Sequence, residues 1–455
     1  MNFNSPIKTQ IDREKNSLFW AVDAKNFFAS SNIISETILQ SQWYDQREAQ
    51  DLLEQHLGNI CVHARKYTSY YKKLLSNVLI DKKRGIKLSE FHKIPILKRQ
   101  DIQDNTKRMH SKHPKMEIGA TDLPTSGSTS EPVVVRWARC SYLYTTILQE
   151  RWYRWAGLDG NKNLARLYSD APKSKGNMGN FSNGWMDGFP KGGYATNSSA
   201  LPISHQTRWL AHIKPNYLMA YPANAVSVFQ YAEEHKLDLS SIEKILTYGE
   251  VLTPDIKNMF EKKHDIEVID KYSSREVGCM ALKCKNSDLY HIQTSNVYLE
   301  ILREDGTPAK EGEVGKIVVT SLTNTSMPII RYEIGDYATV GPKCDCGRGL
   351  PTIKNIMGRA RNMAKDKNGD SFWPRFHSDD FALLIPVRQI QLIQRDYDKI
   401  HALYVSDAEL SENDLEIMHD EIQKIFKDNV DISTERVEFI GREWGSKFED
   451  FKCEI

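Results

Sequence analysis

The sequence predicts an α/β protein with a large N-terminal domain and a small α+β C-terminal domain. Three observations predict it: a helical pattern at the start, strands interleaved with helices in the middle, and a change of character after Gly358. The chain of 455 residues also exceeds the length at which one hydrophobic core stops growing. We therefore expect a large domain over residues 1–358 and a small, mobile lid domain over residues 359–455.

Residues 1–115 are predicted to form a mostly helical lead-in. Apolar and aromatic side chains recur there at helical spacing, which is typical of helices with one buried face. The recurring residues are Leu52, Leu53, His56, Leu57, Ile60, Cys61, Tyr67, Tyr70, Tyr71 and Leu74, and the aromatic side chains among them are expected in the core.

The middle of the chain, from about residue 120 to 350, alternates short β-rich runs with helical stretches. The predicted strands are Lys244–Thr247, Ile266–Ile269 and Gly315–Thr320, and Val226–His235 predicts a helix.

The residues after Gly358 predict a compact α+β unit, with a hinge near Arg359–Asn362. Three runs predict strands and one amphipathic run predicts a helix. The strands are Ile390–Gln394, His401–Val405 and Arg436–Ile440, and the helix is Glu412–Phe426.

Composition excludes several functional classes. The net charge of +1 argues against nucleic acid as a partner, because proteins that follow phosphate backbones carry a basic excess. The sequence contains no run of 18 apolar residues, so it predicts no membrane span, and the N-terminus lacks the apolar core of a signal peptide. We therefore expect a cytoplasmic protein. The seven cysteines favour reduced thiols or a metal site over a disulfide framework.

A hydroxyl-rich loop precedes the β-branched run Val133–Val135. It reads Thr125-Ser126-Gly127-Ser128-Thr129-Ser130-Glu131-Pro132. Gly127 lets the backbone approach an anion closely, and the flanking hydroxyls and turned N–H groups suit phosphate. A plain connecting loop is the alternative interpretation. The Gly-Lys-Ser/Thr ending of a P-loop NTPase is absent.

Further motifs follow this loop in a fixed order. They are Tyr248-Gly249-Glu250, Asp270-Lys271-Tyr272-Ser273-Ser274-Arg275-Glu276-Val277-Gly278, Arg331-Tyr332-Glu333-Ile334-Gly335-Asp336, Gly358-Arg359-Ala360-Arg361-Asn362 and Gly445-Ser446-Lys447-Phe448. From about residue 60 onward, this ordered set resembles the adenylate-forming enzymes, in the branch of phenylacetate–CoA ligases and capsule-biosynthesis adenylate ligases.

The resemblance implies an AMP-forming acid ligase. A carboxylate would attack the α-phosphate of ATP, pyrophosphate would leave, and a later nucleophile would open the acyl-adenylate. Two anions meet in this reaction, so the site needs hydrogen-bond donors, Mg²⁺ and a cation. A small carboxylic acid, aromatic in one reading, is the implied substrate.

Each motif then has an implied role. Residues 125–130 would hold the β- and γ-phosphates, with Gly249 and Glu250 also in the nucleotide site. Glu276 would ligate Mg²⁺, since a hard dication prefers a carboxylate beside phosphates. The remaining roles are as follows: Asp270 at the adenine edge, Tyr272 against the adenine face, Ser273 beside it, Asp336 at the ribose hydroxyls, Arg359 at the ribose and phosphate, and Lys447 as the catalytic cation. A buried aromatic for Tyr272, a turn residue for Asp336 and a surface lysine for Lys447 are the alternatives.

Three departures from the family pattern bear on activity. Ser130 stands where a second glycine is usual, and Ser273 and Arg275 replace a glycine and a Ser or Thr. Arg275 would donate to the α-phosphate, because arginine suits phosphate well, or it would form an ion pair elsewhere. The segment Lys365–Pro374 differs from the glycine-rich segment of CoA-forming relatives.

The acyl acceptor therefore stays open. CoA is one reading, and an amine or hydroxyl in surface-polysaccharide or amino-acid conjugate biosynthesis is the other. A third hypothesis is a decayed, zinc-stabilised binding protein on the ligase fold. Whether the protein is a homodimer also stays open.

Four residues form a candidate zinc site. Cys344 and Cys346 flank a tight turn, and Cys284 and His291 complete a Cys₃His set suited to tetrahedral zinc. Free buried cysteines are the alternative. Members of the phenylacetate–CoA ligase branch carry a structural metal knuckle here, so the resemblance supports a closed structural site.

The acid pocket is expected among aromatic side chains of the large domain. The expected residues are Trp185, Phe189, Tyr194, Ala220, Tyr221, Pro222, Ala223 and Gly249. Aromatic lining fits an aryl or small apolar acid. Four cations lie in the same region, which leaves open a substrate with further anionic groups; they are Arg166, Lys173, Lys175 and Lys191.

Overall fold

The structure is a computed structural model that describes most of the chain. The described ranges are residues 27–81, 84–113, 119–125, 132–169, 171, 179–186, 188–359, 363–372, 374, 381, 384–426, 428–438, 440 and 451–455. Within them no helix is long and apolar enough to cross a membrane.

Five helices precede the first strand and form the described part of the helical lead-in. They are α1 (Phe27–Ser41), α2 (Gln46–Tyr67), α3 (Ser69–Leu74), α4 (Leu88–Phe91) and α5 (Arg99–Met109). A capping box between Asp45 and Glu48 starts α2. Tyr71 is buried as predicted, and Leu74, the last residue of a short helix, is 37% exposed.

The large domain is built on a twelve-stranded sheet. Its strands lie in the order β11-β12-β13-β14-β10-β9-β8-β7-β6-β3-β5-β4. Their bounds are β3 (Leu164–Tyr168), β4 (Asn180–Asn183), β5 (Gly193–Ser198), β6 (Tyr217–Ala220), β7 (Lys244–Tyr248), β8 (Glu267–Ser274), β9 (Gly278–Lys283), β10 (Tyr290–Ile292), β11 (Val297–Leu302), β12 (Val314–Ser321), β13 (Tyr332–Val340) and β14 (Thr352–Arg359). A separate hairpin pairs β1 (Thr121–Pro124) with β2 (Val134–Trp137).

Helices cover both faces of the parallel half of this sheet. They are α6 (Arg139–Trp155), α7 (Ile203–Ile213), α8 (Pro222–Glu234) and α9 (Pro254–Asn258), the last continued by a π-helical turn over Met259–Lys263. Successive strand residues point to opposite faces. Ile245 and Leu246 of β7 accordingly lie in two different apolar clusters, one on each face. Burial on both faces explains why these strands read as continuous apolar runs.

Strand β8 joins the parallel and antiparallel halves of the sheet. It runs parallel to β7, with Tyr248 opposite Lys271, and antiparallel to β9. The loop after β7 and the turn after β8 therefore leave the sheet at the same edge. Ligands of α/β sheets bind at the carboxyl ends of strands where the topology changes.

The C-terminal residues form a second, smaller unit. Its elements are β15 (Ala364–Lys365), β16 (Ser371–Phe372), β17 (Gln389–Asp396), β18 (Lys399–Val405), α10 (Glu412–Ile425), β19 (Asp431–Arg436) and β20 (Phe451–Cys453). Four strands form one sheet in the order β19-β18-β17-β20, with its own apolar core. The fold class predicted from the sequence is confirmed.

One predicted C-terminal strand is wrong. The sequence predicts a strand over Arg436–Ile440, but β19 begins at Asp431 and ends at Arg436. This edge strand is polar and largely exposed, so hydrophobic periodicity does not reveal it. The last strand, β20, has only three residues in a charged tail.

Candidate active site and metal cluster

The hydroxyl-rich loop starts where the β1–β2 hairpin closes. The backbone N–H of Thr125 donates to Val133 O at 2.7 Å, and the Val133 N–H donates to Thr125 Oγ1 at 3.1 Å. Both hydrogen bonds hold the two ends of the loop together. The intervening Ser126, Gly127, Ser128, Thr129 and Ser130 lie outside the described residues, so their phosphate role stays a prediction.

Arg275 lies at the base of this loop. Its Nη1 donates to the carbonyl of Pro124 at 2.9 Å, and its Nη2 lies 3.4 Å from Ser169 Oγ. The next residue, Glu276, is only 5% exposed and forms no ion pair with any residue the structure describes. A buried carboxylate without a cation has the chemistry of a ligand for a hard metal ion. The turn after β8 thus offers one cation and one acid beside the loop.

Tyr272 and Asp336 meet although 64 residues separate them. Tyr272 is on β8 and donates its hydroxyl hydrogen to Asp336 Oδ2 of β13 at 2.7 Å. Asp336 is also the cross-strand partner of Arg359, which ends β14. The sheet therefore brings together three residues that the motifs predict to contact the nucleotide.

Asp270 is more enclosed than the predicted adenine contact requires. Its Oδ1 accepts from Thr247 Oγ1 at 2.6 Å, and its Oδ2 accepts from Tyr290 Oη at 2.8 Å. Burial raises the pKa of this carboxyl above its ordinary value. Both oxygens thus accept from side chains of β7 and β10. Contact of Asp270 with adenine stays a prediction.

The loop after β7 is fixed by backbone geometry. Gly249 has φ +79°, and a Cβ there would lie 3.0 Å from the Tyr221 ring, so glycine is required. Glu250 Oε2 accepts from the Ala223 N–H, at the first turn of α8, at 3.3 Å. Ser273 lies at a register shift in β8. Lys447, the predicted catalytic cation, lies outside the described residues.

The predicted metal ligands form one compact cluster. The ligand atoms of Cys284, His291, Cys344 and Cys346 all lie within 4.8 Å of one another. Cys284 Sγ is 3.8 Å from Cys344 Sγ, and Cys346 Sγ is 3.3 Å from His291 Nε2. A tetrahedron with Zn–S bonds of about 2.3 Å has S···S edges of about 3.8 Å. The donor set and its spacing therefore fit a tetrahedral metal ion.

Comparison with known proteins shows which proteins the chain resembles. A family model described as the CapK C-terminal domain matches residues 382–452. The phenylacetate-coenzyme A ligase of Escherichia coli (strain K12) is 25% identical over 82% of this chain and 85% of that protein. The corresponding ligase of Thermus thermophilus is 24% identical over 69% of this chain and 70% of that protein.

These relatives and the CapK C-terminal domain support assignment of the chain to the adenylate-forming enzymes, in the phenylacetate–CoA ligase-like branch. The chain is therefore an AMP-forming ligase.

Solved structures give the same fold. A 2-hydroxyisobutyryl-CoA ligase in the postadenylation state superposes with a TM-score of 0.73 at 17% identity, covering 91% of this chain and 92% of that chain. The thioesterification-state complex of 2-hydroxyisobutyryl-CoA ligase gives 0.60 at 18% identity over 91% of both chains. An anthranilate CoA ligase gives 0.53 at 16% identity, covering 72% of this chain and 65% of that chain.

Four aromatic residues of the predicted pocket lie on one face of the sheet, whereas Ala220 lies in the apolar cluster on the other face. Trp185, Phe189, Tyr194 and Tyr221 all pack against a single apolar cluster. Arg166 lies over the Tyr168 and Tyr248 rings, whereas Lys191 is exposed. Lys173 and Lys175 are outside the described residues.

Sequence reasoning assigns no role to Lys271, although this residue enters the same face. Its Nζ lies 4.4 Å from the centroid of the Trp152 ring and 5.7 Å from that of Tyr248. In the sequence, Lys271 is distinguished only by its position on a strand between Asp270 and Tyr272, which are both buried. Its surroundings become apparent only when α6, β7 and β8 are packed together.

Proposed function

We propose that the ligase activates a small carboxylic acid with ATP and transfers the acyl group to CoA. A carboxylate oxygen attacks the α-phosphorus, the bond from the α-phosphorus to the bridging oxygen breaks, and pyrophosphate leaves with that electron pair. The acyl-adenylate is then opened by the thiolate of CoA, which releases AMP.

The observation that carries this proposal is the convergence of motif residues at one edge of the sheet. Arg275 and Glu276 lie at the base of the hydroxyl-rich loop, and Tyr272 and Asp336 form a contact beside them. Arg275 would stabilise charge that develops on the α-phosphate, because preorganised donors act most strongly in a water-poor site. Tyr272 would lie against adenine, and Asp336 would accept from the ribose hydroxyls. Glu276 would hold Mg²⁺, which supplies neutralisation of phosphate charge when bound.

The Cys₃His cluster would hold zinc as a structural ion. Four protein ligands leave no coordination position for substrate, so this ion would stabilise the fold and take no part in adenylation. Its ligands come from the end of β9, from β10 and from the loop between β13 and β14. It would therefore fasten three segments of the antiparallel half of the sheet.

Exchange of labelled pyrophosphate into ATP tests the activation step. We expect exchange with Mg²⁺ and a suitable acid from a broad panel. Arg275→Ala should reduce its rate by about 10²-fold, as when a transition-state donor is lost. Arg136→Ala is the matched control, because Arg136 lies on the neighbouring hairpin and pairs with Asp122 at the protein surface. Its rate should stay within about twofold of the wild-type rate.

Two results would contradict the proposal. Wild-type protein without exchange across the acid panel, and without ATP or AMP binding by calorimetry, would favour a decayed binding protein. Equal rates for Arg275→Ala and wild type would leave Arg275 without a role at the phosphate.

The match of the C-terminal unit to the CapK C-terminal domain supports a second candidate acceptor. The acyl group would then pass to an amine or hydroxyl of a sugar or amino acid. AMP release that requires CoA, measured with the true acid, assigns the first acceptor. If CoA leaves AMP release unchanged and an amino sugar or amino acid accelerates it, the acceptor is the amine or hydroxyl.

A further inference from the structure

Two cations lie among aromatic rings on one face of the large sheet. Lys271 is on β8, and its Nζ donates to Gln149 Oε1 at 2.7 Å. Trp152 and Tyr248 place their rings beside the same ammonium group. The side chain keeps partial exposure although protein atoms surround it. Such a recessed cation can reach a ligand that enters the fold.

Arg166 is the second cation and approaches the same ring. Its Cζ lies 5.4 Å from the Tyr248 centroid and 4.5 Å from that of Tyr168. The Tyr194 and Tyr248 hydroxyls lie near its guanidinium. Its Nε is buried and has no hydrogen-bond partner among the described residues. Leaving a buried donor unpaired is unfavourable, so natural proteins seldom keep one without reason.

Within the described part of the chain, neither Lys271 nor Arg166 forms an ion pair with an acidic residue. Asp270 is adjacent in sequence, but its two oxygens accept from Thr247 and Tyr290. Buried charges are normally paired. Two cations with aromatic walls and no acid therefore form a receptor for an anion supplied from outside.

A chain of contacts connects this receptor to the base of the phosphate loop. Arg275 contacts Ser169, and Ser169 Oγ lies 3.4 Å from the Tyr221 hydroxyl. The Tyr221 ring lies 5.0 Å from the Tyr248 ring, which both cations flank. The receptor is thus one aromatic layer away from the place where the carboxylate would be activated. An acid with charge at both ends would span the two places.

We propose that the ligase activates an acid with a second anionic group, in the simplest case a dicarboxylic acid, and that Lys271 and Arg166 bind this second group. The proposal rests on the proposed adenylation function and narrows its substrate class. Aromatic walls fit a diacid with an aryl or extended apolar middle. Charged hydrogen bonds to the far carboxylate would favour the diacid over a neutral acid of equal length.

Pyrophosphate exchange with matched acid pairs tests the proposal. Each dicarboxylic acid of four to eight carbons, and carboxyphenylacetate, is compared with the monocarboxylic acid of the same length or ring. The best diacid should exceed its monoacid partner at least tenfold in kcat/KM. Lys271→Met should lower kcat/KM for the diacid by about 10- to 100-fold, the loss expected for a hydrogen bond between charged groups. It should change the value for the monoacid by less than about threefold.

Lys283→Met is the matched control. Lys283 lies on the neighbouring strand β9 and packs on the Tyr290 ring at 4.7 Å, but it pairs with Asp288. Its removal should leave the preference for the diacid unchanged. Lys271→Glu supplies a second variant, which should reject the diacid and accept an acid with an amino group at its far end. Calorimetry of the diacid without ATP measures the receptor independently of turnover.

The outcomes separate this proposal from the adenylation function. If only monoacids support exchange, or if Lys271→Met lowers kcat/KM equally for both acids, the substrate has no second anionic group bound by Lys271. The adenylation function would stand in either case. Equal losses would place Lys271 at the reacting carboxylate. Absence of exchange with every acid, while calorimetry still shows diacid binding that Lys271→Met abolishes, would overturn adenylation and support the receptor.

Discussion

Lys271 lies in a buried position, where the charged form of a lysine side chain is unfavourable. The pKa of its ammonium group is lowered from 10.5 to about 8. Burial is the largest cause and the nearby Arg166 cation acts in the same direction, whereas Cys279 and Asp270 raise this pKa. Between pH 8 and 10.5 the unfolded chain binds more protons at this residue than the folded chain does. The contribution of Lys271 to stability therefore rises with pH over that window and is most unfavourable below pH 8.

Lys271→Met should accordingly make the protein more stable at pH 7. The expected gain in the free energy of unfolding is about 1–3 kcal/mol, since one pKa unit corresponds to about 1.4 kcal/mol. The gain should shrink as the pH rises from 8 towards 10, because the wild-type lysine is then neutral in the folded state. Denaturant unfolding at pH 7 and pH 9.5 measures both values. Lys162→Met, which removes a surface lysine paired with Glu243, should show no such pH dependence.

A loss of stability at pH 7 in Lys271→Met would mean that the lysine has a stabilising partner in the folded state. The combination we expect is a more stable variant that has lost its preference for diacids. Functional sites often carry such destabilising groups. That combination also excludes misfolding as the cause of any loss in binding.

At the level of elements, the Cys₃His cluster joins segments that are far apart in the chain. Cys284 follows β9, His291 is on β10, and Cys344 is in the loop between β13 and β14. Strand β10 has only three residues and pairs with both β9 and β14. Such a short strand gains little from its own hydrogen bonds. A metal ion at its end would supply the missing stabilisation.

We expect about one zinc ion per chain by elemental analysis. Cys346→Ser should lose the zinc and lower the melting temperature by several degrees, because metal-binding free energy at a structural site is folding free energy. The wild-type protein should lose the same stability when a chelator is added, and the variant should not respond. Cys453→Ser is the control, since Cys453 is on β20 and outside the cluster. A zinc-free preparation of unchanged stability would contradict this prediction.

The sequence predicts elements best where strands are buried on both faces. The predicted strand Lys244–Thr247 corresponds to β7, which has one added residue. Its adjacent apolar residues Ile245 and Leu246 pack into clusters on opposite faces of the sheet, and such a pair is typical of a strand buried on both faces. The metal cluster is also predictable, since the identity of thiol and imidazole ligands is visible without coordinates. Polar edge strands are not: β19 carries alternating exposed residues, and only its pairing with β18 holds it in the sheet.

The candidate site is predictable only in part for a related reason. Motif order predicts which residues converge, and Tyr272 and Asp336 do meet. It does not predict partners that arise from packing. Arg166 and Lys271 come from strands 105 positions apart in the chain, and only the ring of Tyr248 brings them together. The enclosure of Asp270 likewise depends on Tyr290, which no motif indicates.

At the scale of the whole molecule, the ligase fold is known in more than one arrangement. The present structure superposes better on the postadenylation state of 2-hydroxyisobutyryl-CoA ligase than on its thioesterification state. The two states belong to one protein, so the fold itself permits rearrangement. In the present chain the C-terminal sheet has its own core, which suits a unit that moves as a rigid body.

Lys447 is tied to this unit through the strand that follows it. Phe451 of β20 is 3% exposed and pairs with Leu392 of β17. Lys447 precedes Phe451 by four positions, and an extended chain spans at most about 3.6 Å per residue. A rotation of this unit is therefore expected to carry Lys447 with it.

Lys447→Ala should therefore affect the two half-reactions unequally. Formation of the acyl-adenylate should fall by about 10²-fold or more, because a cation that bridges carboxylate and α-phosphate stabilises the transition state. Transfer from a preformed adenylate should keep most of its rate, since the rotated unit would have removed the lysine before the acceptor enters. Single-turnover measurement of each step, with Lys452→Ala of the same C-terminal segment as the control, separates the two rates. Equal losses in both steps would mean that Lys447 stabilises the structure or that the unit does not rotate. An unchanged adenylation rate would leave Arg275 as the next candidate for the catalytic cation, since its guanidinium is already held at the base of the phosphate loop.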